Sequence, residues 1–225
     1  MQPVKISKRN IMFTRPWSYE GDSYHLNLGL ILGLRHNFLI DTGLGDACVA
    51  SVLEYLKDDK KPLIVANTHA DWDHIWGNHV FADCQIIAHQ NCFKMLEKHW
   101  DEVFEKLKHK ANGKVVKCLP NVTFTDKINF HEDGVSIFYT PGHTPTCISV
   151  YDHVDKVLYA GDNIGDTNEE ILPVINTDNN TFKRLLEIYE AIGFEICISG
   201  HNVPQKKDVV ARMAAALELK EHGRS

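Results

Sequence analysis

The chain has 225 residues, of which 44% are hydrophobic and 24% charged, and its formal net charge is −6. This length suits one domain with a sizeable core, so we expect a single domain over residues 1–225. The chain has no run of about 18 apolar residues and no signal-like apolar run near its start, so we expect neither a membrane span nor a secretory signal. The 24 basic side chains form no dominant block among 30 acidic ones. We therefore expect no nucleic-acid partner and no membrane partner.

Six cysteines are scattered without a Cys-x-x-Cys pair: Cys48, Cys84, Cys92, Cys118, Cys147 and Cys197. In a chain of this length, that distribution is typical of reduced cysteines in a cytoplasmic protein. The compositional excess is in histidine, with 13 residues.

The first 45 residues have an extended pattern, and a helix of about ten residues is predicted from Asp46. Strands are predicted at 25–32, 38–40, 63–66 and 85–88, with a turn at 35–37. Residues 90–110 carry apolar side chains three and four positions apart, which is the pattern of an amphipathic helix. We favour a helix that covers the core; a lid or a dimer contact is the alternative.

Strands dominate the following stretch, and two helices close the chain. Strands are predicted at 122–124, 135–139, 148–151, 156–160 and 194–198. A helix is predicted between Asn179 and Ile192, with Asp178 as its N-cap and Gly193 as its stop. A closing helix is predicted from about Gln205 to Lys220. Strands followed by helix in each half indicate two packed sheets with helices outside.

The segment Thr68-His69-Ala70-Asp71-Trp72-Asp73-His74 carries four candidate metal ligands in six residues, directly after a predicted strand. From the composition of this chain, the pattern His-x-[His/Asp/Glu]-x-Asp-His is expected by chance roughly 0.01 times. Side chains that leave one loop can converge on adjacent cations without long-range chain closure. The segment therefore indicates a metal site.

Three further candidates, His143, Asp162 and His201, each follow an apolar strand and lie next to a glycine. Ligand-binding loops are commonly built at such strand ends. Taken singly, each of these residues is better explained as a turn residue than as a ligand.

Together, these motifs in this order resemble the metallo-β-lactamase superfamily. The resemblance covers essentially the whole chain and includes Asp41-Thr42-Gly43 after an early strand. It implies an α+β fold, a four-layer αβ/βα sandwich of two mixed sheets with helices outside. It also implies a binuclear metal site at one edge of the sheets.

Carried over residue by residue, the resemblance assigns His69, Asp71 and His143 to one divalent cation. It assigns Asp73, His74 and His201 to a second cation, and Asp162 to a bridging position. The implied enzyme is a metal-dependent hydrolase whose metal-bound hydroxide attacks an ester, thioester, lactone or phosphoester bond of a small molecule. Asp73 is also the candidate for passing a proton to the leaving group. No substrate-binding residue is identified.

Asp71 departs from the family pattern, which usually has histidine there. An aspartate oxygen and a histidine Nδ1 both lie three bonds from Cα, so the carboxylate reaches the same position. An extra carboxylate lowers the residual positive charge of the centre and favours harder cations. We expect zinc first, with iron or manganese as the alternatives. Asp162 stands where zinc β-lactamases tend to have Cys or Ser, which argues against antibiotic hydrolysis.

Two other functions remain open from the sequence. One is an iron-dependent redox enzyme acting on oxygen, nitric oxide or persulfide sulfur, because the flavodiiron branch of the superfamily also has a carboxylate at the position of Asp71. The other is a non-catalytic metal-binding sensor. Trp72 and Trp76 flank the ligand loop, where they line a substrate wall or pack in the core. A homo-oligomer through the helix around Trp100 is compatible with the sequence.

Overall fold

The structure is a computed structural model, and it describes residues 1–19 and 22–223. Within these residues, no helix combines the length and the apolar character needed to cross a bilayer.

The first sheet has seven strands that lie side by side in chain order. They are β1 Gln2–Lys5, β2 Asn10–Tyr19, β3 Asp22–Leu32, β4 Asn37–Ile40, β5 Leu63–Ala66, β6 Gln85–His89 and β7 Val122–Phe124. Strands β1 to β4 pair antiparallel, whereas β4 to β7 pair parallel. The sheet is therefore mixed.

The second sheet has six strands in the order β13-β12-β11-β10-β9-β8. They are β8 Lys127–Phe130, β9 Val135–Tyr139, β10 Ile148–Asp152, β11 Val157–Gly161, β12 Ile196–Ser199 and β13 Gln205–Lys206. Strands β11 and β12 pair parallel, and the other pairs are antiparallel. This sheet is also mixed.

Five α-helices accompany the sheets: α1 Asp46–Leu56, α2 Trp72–Ile75, α3 Gln90–Leu107, α4 Asn179–Ala191 and α5 Val209–His222. The predicted N-cap of α4 is confirmed, because the Asp178 carboxylate accepts a hydrogen bond of 3.0 Å from the backbone N–H of Thr181. The amphipathic prediction for α3 is also confirmed, with Cys92, Leu96 and Trp100 on its buried face.

The core lies in three layers because strand side chains alternate between the two faces of a sheet. In β5, Ile64 and Ala66 face the second sheet, whereas Val65 faces α1. In β11, Val157 and Tyr159 face the first sheet, whereas Leu158 packs with α4 and α5. Helices α1 and α3 thus cover one outer face and α4 and α5 the other. This arrangement confirms the predicted sandwich.

The sequence patterns misplaced two element boundaries and did not predict strand β8. The closing helix begins at Val209 and not at Gln205, because Gln205–Lys206 pairs with the edge strand β12. The predicted strand at 194–198 begins only at Ile196, since Phe194 packs among the side chains of the outer helical layer. Strand β8, with its alternating half-exposed pattern, was not predicted.

Five of the strands whose carboxyl ends lie at one edge of the sandwich precede the loops of the site. In the first sheet these are the parallel strands β4 and β5. In the second sheet they are β9, β11 and β12, since β9 and β11 both run antiparallel to β10 and β12 runs parallel to β11. The two sheets are joined there by a hydrogen bond of 2.8 Å from the backbone N–H of Asn27 to the carbonyl of Gly200. The loops that follow these strands carry the predicted ligands.

Candidate metal centre

The loop after β5 turns immediately into the single-turn helix α2, with Asp71 at the N-cap position. A backbone hydrogen bond holds this segment in place, since the N–H of Thr42 donates to the carbonyl of His74 over 2.8 Å. His69 leaves the loop before this turn, whereas Asp73 and His74 belong to α2. The four side chains of the motif therefore reach the ligand cluster from two elements, the loop after β5 and α2.

The potential metal ligands form two groups, in each of which the ligand atoms lie within 4.8 Å of one another. We call His69, His143 and Asp162 the first group, and Asp73, His74 and His201 the second group. Asp162 also approaches the second group, since its Oδ2 lies 3.2 Å from Nε2 of His74 and 3.3 Å from Nε2 of His201. The distance from Oδ2 of Asp162 to Nε2 of His69 is 3.6 Å. The structure thus places Asp162 between the two groups.

Asp71 lies at the solvent side of the first group. Its Oδ2 is 3.2 Å from Nε2 of His143 and 3.5 Å from Nε2 of His69. The Asp71 side chain is 40% exposed, whereas that of Asp162 is 11% exposed. All seven predicted ligands therefore come together, with Asp71 as the most exposed of them.

Hydrogen bonds outside the cluster fix the tautomers of His143 and His201. Nδ1 of His143 donates to the carbonyl of Val174, and Nδ1 of His201 donates to the carbonyl of His25, each over 2.8 Å. A carbonyl oxygen has no hydrogen to donate, so both Nδ1 atoms carry the proton. In the neutral imidazole, each Nε2 then presents a lone pair to the cluster.

Asp41 fixes the other two imidazoles. Its Oδ2 accepts from Nδ1 of His74 over 2.8 Å and from the hydroxyl of Thr68 over 2.7 Å. Because the Thr68 hydroxyl donates to Asp41, it accepts from Nδ1 of His69, which lies 3.0 Å away. The four imidazoles therefore all turn Nε2 inward, the orientation that metal-binding histidines need.

Two buried atoms of the cluster have no hydrogen-bond partner within the described chain, which fits a cation: Nε2 of His69 and Oδ1 of Asp162. Buried polar atoms rarely stay unpaired. Nε2 of His74 and Nε2 of His201 lie 3.3 Å apart, and both also approach Oδ2 of Asp162. Nitrogen and carboxylate donors in this arrangement suit divalent metal ions.

The charged side chains in and around the second group shift the pKa values of one another. Burial by itself lowers the pKa of His74, but the charges of Asp162 and Asp41 outweigh burial and hold that pKa well above its usual value. Burial is likewise outweighed at His201, where the Asp162 charge raises the pKa well above the usual range. Burial raises the pKa of Asp162, but the charges of His74 and His201 hold it well below its usual value. The cluster thus attracts positive charge strongly.

At the more exposed pair, His143 and Asp71, charges and hydrogen bonds also outweigh the effect of burial on the pKa. Burial lowers the pKa of His143, but the hydrogen bond to Asp71 and the charge of Asp162 raise it to about 9. Burial raises the pKa of Asp71, but His69 and His143 lower it well below its usual value. A cation that binds here must displace protons held by imidazoles.

Asp41 is a functional residue whose role sequence reasoning missed, although the segment Asp41-Thr42-Gly43 was part of the resemblance. It adopts a positive φ of 62°, a conformation that aspartate tolerates better than most residues. Its Oδ1 also accepts from the backbone N–H of Thr68 over 2.7 Å. The buried carboxylate therefore connects the loop after β4 to both groups.

A glycine allows the close approach of the ligands. A Cβ atom on Gly200 would lie 2.3 Å from Oδ1 of Asp162 and 2.6 Å from Cε1 of His74. Any side chain at this position would push the Asp162 carboxylate and the His74 imidazole out of place. The glycine before His201 is therefore required for the approach of these two side chains.

Neither ligand group found among the described residues includes any of the other nine histidines. The backbone of His25 holds His201, since its carbonyl accepts from Nδ1 of His201 and its N–H donates to the His201 carbonyl over 3.1 Å. His89 caps α3 and stacks on Tyr139, and His36 pairs with Asp133. These placements give the three histidines structural roles.

Comparison with known proteins gives the family. A family model described as the metallo-beta-lactamase superfamily matches residues 27–201. The chain belongs to the metallo-beta-lactamase superfamily. Among its relatives is the acyl-coenzyme A thioesterase MBLAC2 of Homo sapiens, 26% identical over 206 residues, with 78% of this chain and 72% of the relative covered. The protein of the same name from Gallus gallus is 23% identical, with the same coverage.

Solved structures of this superfamily have the same fold. The DIM-1 metallo-beta-lactamase has a TM-score of 0.78 at 15% identity, with 97% of each chain covered. A metallo-beta-lactamase from Pontibacter korlensis has a TM-score of 0.76 at 18% identity, covering 96% of this chain and 98% of the other. Membership of this superfamily and the thioesterase relatives make the chain a metal-dependent hydrolase. The interpretation as an enzyme is confirmed over that of a sensor.

Proposed function

We propose that the chain hydrolyses acyl thioesters of small molecules, using two divalent cations held by the first and second groups. The observation that carries this proposal is the position of Asp162 between two sets of inward-facing imidazoles. The thioesterase names of the sequence relatives support the thioester bond over the ester, lactone and phosphoester bonds that the sequence left open.

The ligand assignment of the proposal is the one that the family resemblance implies. His69, His143 and Asp71 would hold one cation, His74, His201 and Asp73 the other, and Asp162 both. Cations held there would lower the pKa of bound water toward neutrality and would polarise a carbonyl oxygen. Zinc suits the imidazoles, and the carboxylates also suit iron or manganese.

The protein side chains orient and protect the reaction. Asp41, together with Thr68 and the carbonyls of His25 and Val174, keeps the four imidazoles in one tautomer. In the hydrolysis, a bond forms between a water oxygen and the acyl carbon, the C–S bond breaks, and the sulfur takes a proton. Asp73 has Oδ2 3.1 Å from Nε2 of His201 and is 9% exposed. It is the proposed carrier of that proton.

The test is a side-by-side assay of metal-loaded protein with an acyl-coenzyme A thioester, a phosphodiester and a β-lactam. We expect the thioester to be hydrolysed at least tenfold faster than the other two. Preferred cleavage of the phosphodiester or of the β-lactam would contradict the proposal. The Asp162→Asn variant is the matched control for hydrolysis by contaminating enzymes.

A further inference from the structure

A cavity of about 380 Å³ lies beside the metal centre, between α2 and α3. Its wall is apolar and largely aromatic, and the side chains that matter most are Trp72, Ile75, Trp76, Leu96 and Trp100. Trp76 is 1% exposed and Trp100 is 5% exposed, so both are fixed in the core. The Trp72 and Trp76 rings pack with centroids 5.1 Å apart. The wall is therefore formed before any ligand arrives.

The cavity adjoins the metal centre through the ligand loop. Ala70 and Asp71 line it, and Oδ2 of Asp71 lies 3.2 Å from Nε2 of His143. The loop is fixed there, since the backbone N–H of Ala70 donates to the hydroxyl of Thr146 over 3.2 Å. A molecule that reacts at the cluster thus has this apolar space directly beside its reacting atom.

The other polar residues that line the cavity lie away from the aromatic wall. His99, Glu102 and Lys106 line the cavity from the more exposed side of α3. An apolar wall beside the reacting centre and a polar rim farther out suit a chain-like apolar group more than a charged one.

We propose that this cavity binds the acyl chain of the substrate, with the acyl carbon at the metal centre. This inference rests on the proposed function and adds a substrate class, namely thioesters of medium-length acyl groups. At about 30 Å³ for a group the size of a water molecule, the cavity has room for roughly ten to twelve methylene groups.

The chain length then controls affinity. Each methylene that enters the cavity lowers KM about fourfold, until the cavity is full. An acetyl thioester leaves the cavity empty and has the highest KM. Chains longer than about twelve carbons gain nothing further.

Narrowing the cavity tests this inference. Val103 is half-buried on α3 and lines the cavity, so Val103→Phe reduces its volume far from the ligands. Lys98→Phe is the matched control, since Lys98 is exposed on the same helix and does not line the cavity. We expect Val103→Phe to lower kcat/KM for a dodecanoyl thioester at least tenfold and for an acetyl thioester less than twofold, with no change in Lys98→Phe. An equal loss for both chain lengths would overturn the inference.

A binding measurement separates this inference from the proposed function. Dodecanoate is titrated into metal-loaded protein while the tryptophan fluorescence is recorded, because three tryptophans line the cavity. We expect saturable binding that Val103→Phe weakens at least tenfold. No binding to the wild type, or the same Kd in the variant, overturns the cavity assignment. If binding follows the expectation but no thioester of any length is hydrolysed, the cavity assignment holds and the proposed reaction is wrong.

Discussion

The two ligand groups are built from similar side chains but lie in different surroundings. In the second group, Asp73, His74 and His201 are 9%, 1% and 5% exposed. In the first group, His69 is 0% exposed but His143 is 13% exposed, and Asp71 beside the group is 40% exposed. The anchors of His74 and His143 differ in the same way, because the His74 imidazole is held by the buried carboxylate of Asp41, whereas His143 is held by a backbone carbonyl on an exposed residue, Val174.

This difference separates holding a cation from admitting a substrate. A buried imidazole whose Nδ1 is already anchored loses little freedom when a cation binds, so the second group is preorganised. The first group faces solvent and the aromatic cavity, so we expect a substrate carbonyl to enter there. We therefore expect the second group to bind its cation more tightly.

Removing the shared carboxylate should have the largest effect, because Asp162 serves both groups. Asp162→Asn keeps the volume but removes a negative charge between the cations. Metal assistance supplies several kcal/mol to the transition state, so we expect hydrolysis to fall about 10³-fold or more and the metal content to fall below two per chain. Steady-state kinetics and elemental analysis check both. Unchanged activity would remove Asp162 from the centre.

Asp41→Asn tests the anchoring of the second group, because Asp41 binds His74 directly but reaches His69 of the first group only through Thr68. Loss of such an anchor costs about 10- to 100-fold in metal affinity. We expect this loss for the tighter cation in a chelator competition. Asp133→Asn is the matched control, since Asp133 is equally buried and makes the same kind of 2.8 Å contact, with His36. Equal losses in both variants would mean that Asp41 acts on overall stability only.

The pH dependence of metal binding tests the first group. With its pKa raised to about 9, His143 is protonated at pH 7 in the metal-free protein, and a cation must displace that proton. Affinity should therefore rise about tenfold per pH unit and level off above pH 9. The same raised pKa stabilises the metal-free fold below the usual histidine pKa of about 6.5, and this stabilisation is lost as pH rises through 9. Calorimetry in buffers of different ionisation enthalpy counts the released protons, and an affinity independent of pH would argue against this state of His143.

The smallest effect is expected when Asp71 is changed to histidine, the usual family residue. Asp71→His replaces a carboxylate by an imidazole of similar reach, so zinc binding should hold or rise a few-fold, while manganese binding falls. Asp71→Ala should weaken both metals. Competition titrations of the three proteins measure this, and identical metal affinities throughout would show that Asp71 is no ligand.

Local patterns in the sequence predicted the ligand strands well. Strand β5 and the motif after it are adjacent in the chain, and the sandwich followed from the order of the strands and helices. The position of Gln205 was not predictable in this way, because its strand conformation depends on pairing with Cys197 at a sheet edge.

Local sequence patterns could not predict which groups hold the imidazoles of the site. The carbonyl that holds His201 belongs to His25, 176 residues away, and the one that holds His143 belongs to Val174. Backbone carbonyls leave no mark on residue identity, so only the folded chain reveals them. The cavity between α2 and α3 could not be predicted either, because the apolar spacing of α3 predicts a buried face but not a space left beside Trp100 and Trp76.

In the proposed function, this chain holds two divalent cations, one in each group. The most direct test is elemental analysis of protein purified without chelators or a metal-affinity step, before and after dialysis against a weak chelator. We expect about two metal ions per chain before dialysis and about one afterwards, with the remaining ion lost in Asp41→Asn. A folded protein that takes up no more than one ion per chain, even with excess metal, would contradict the account.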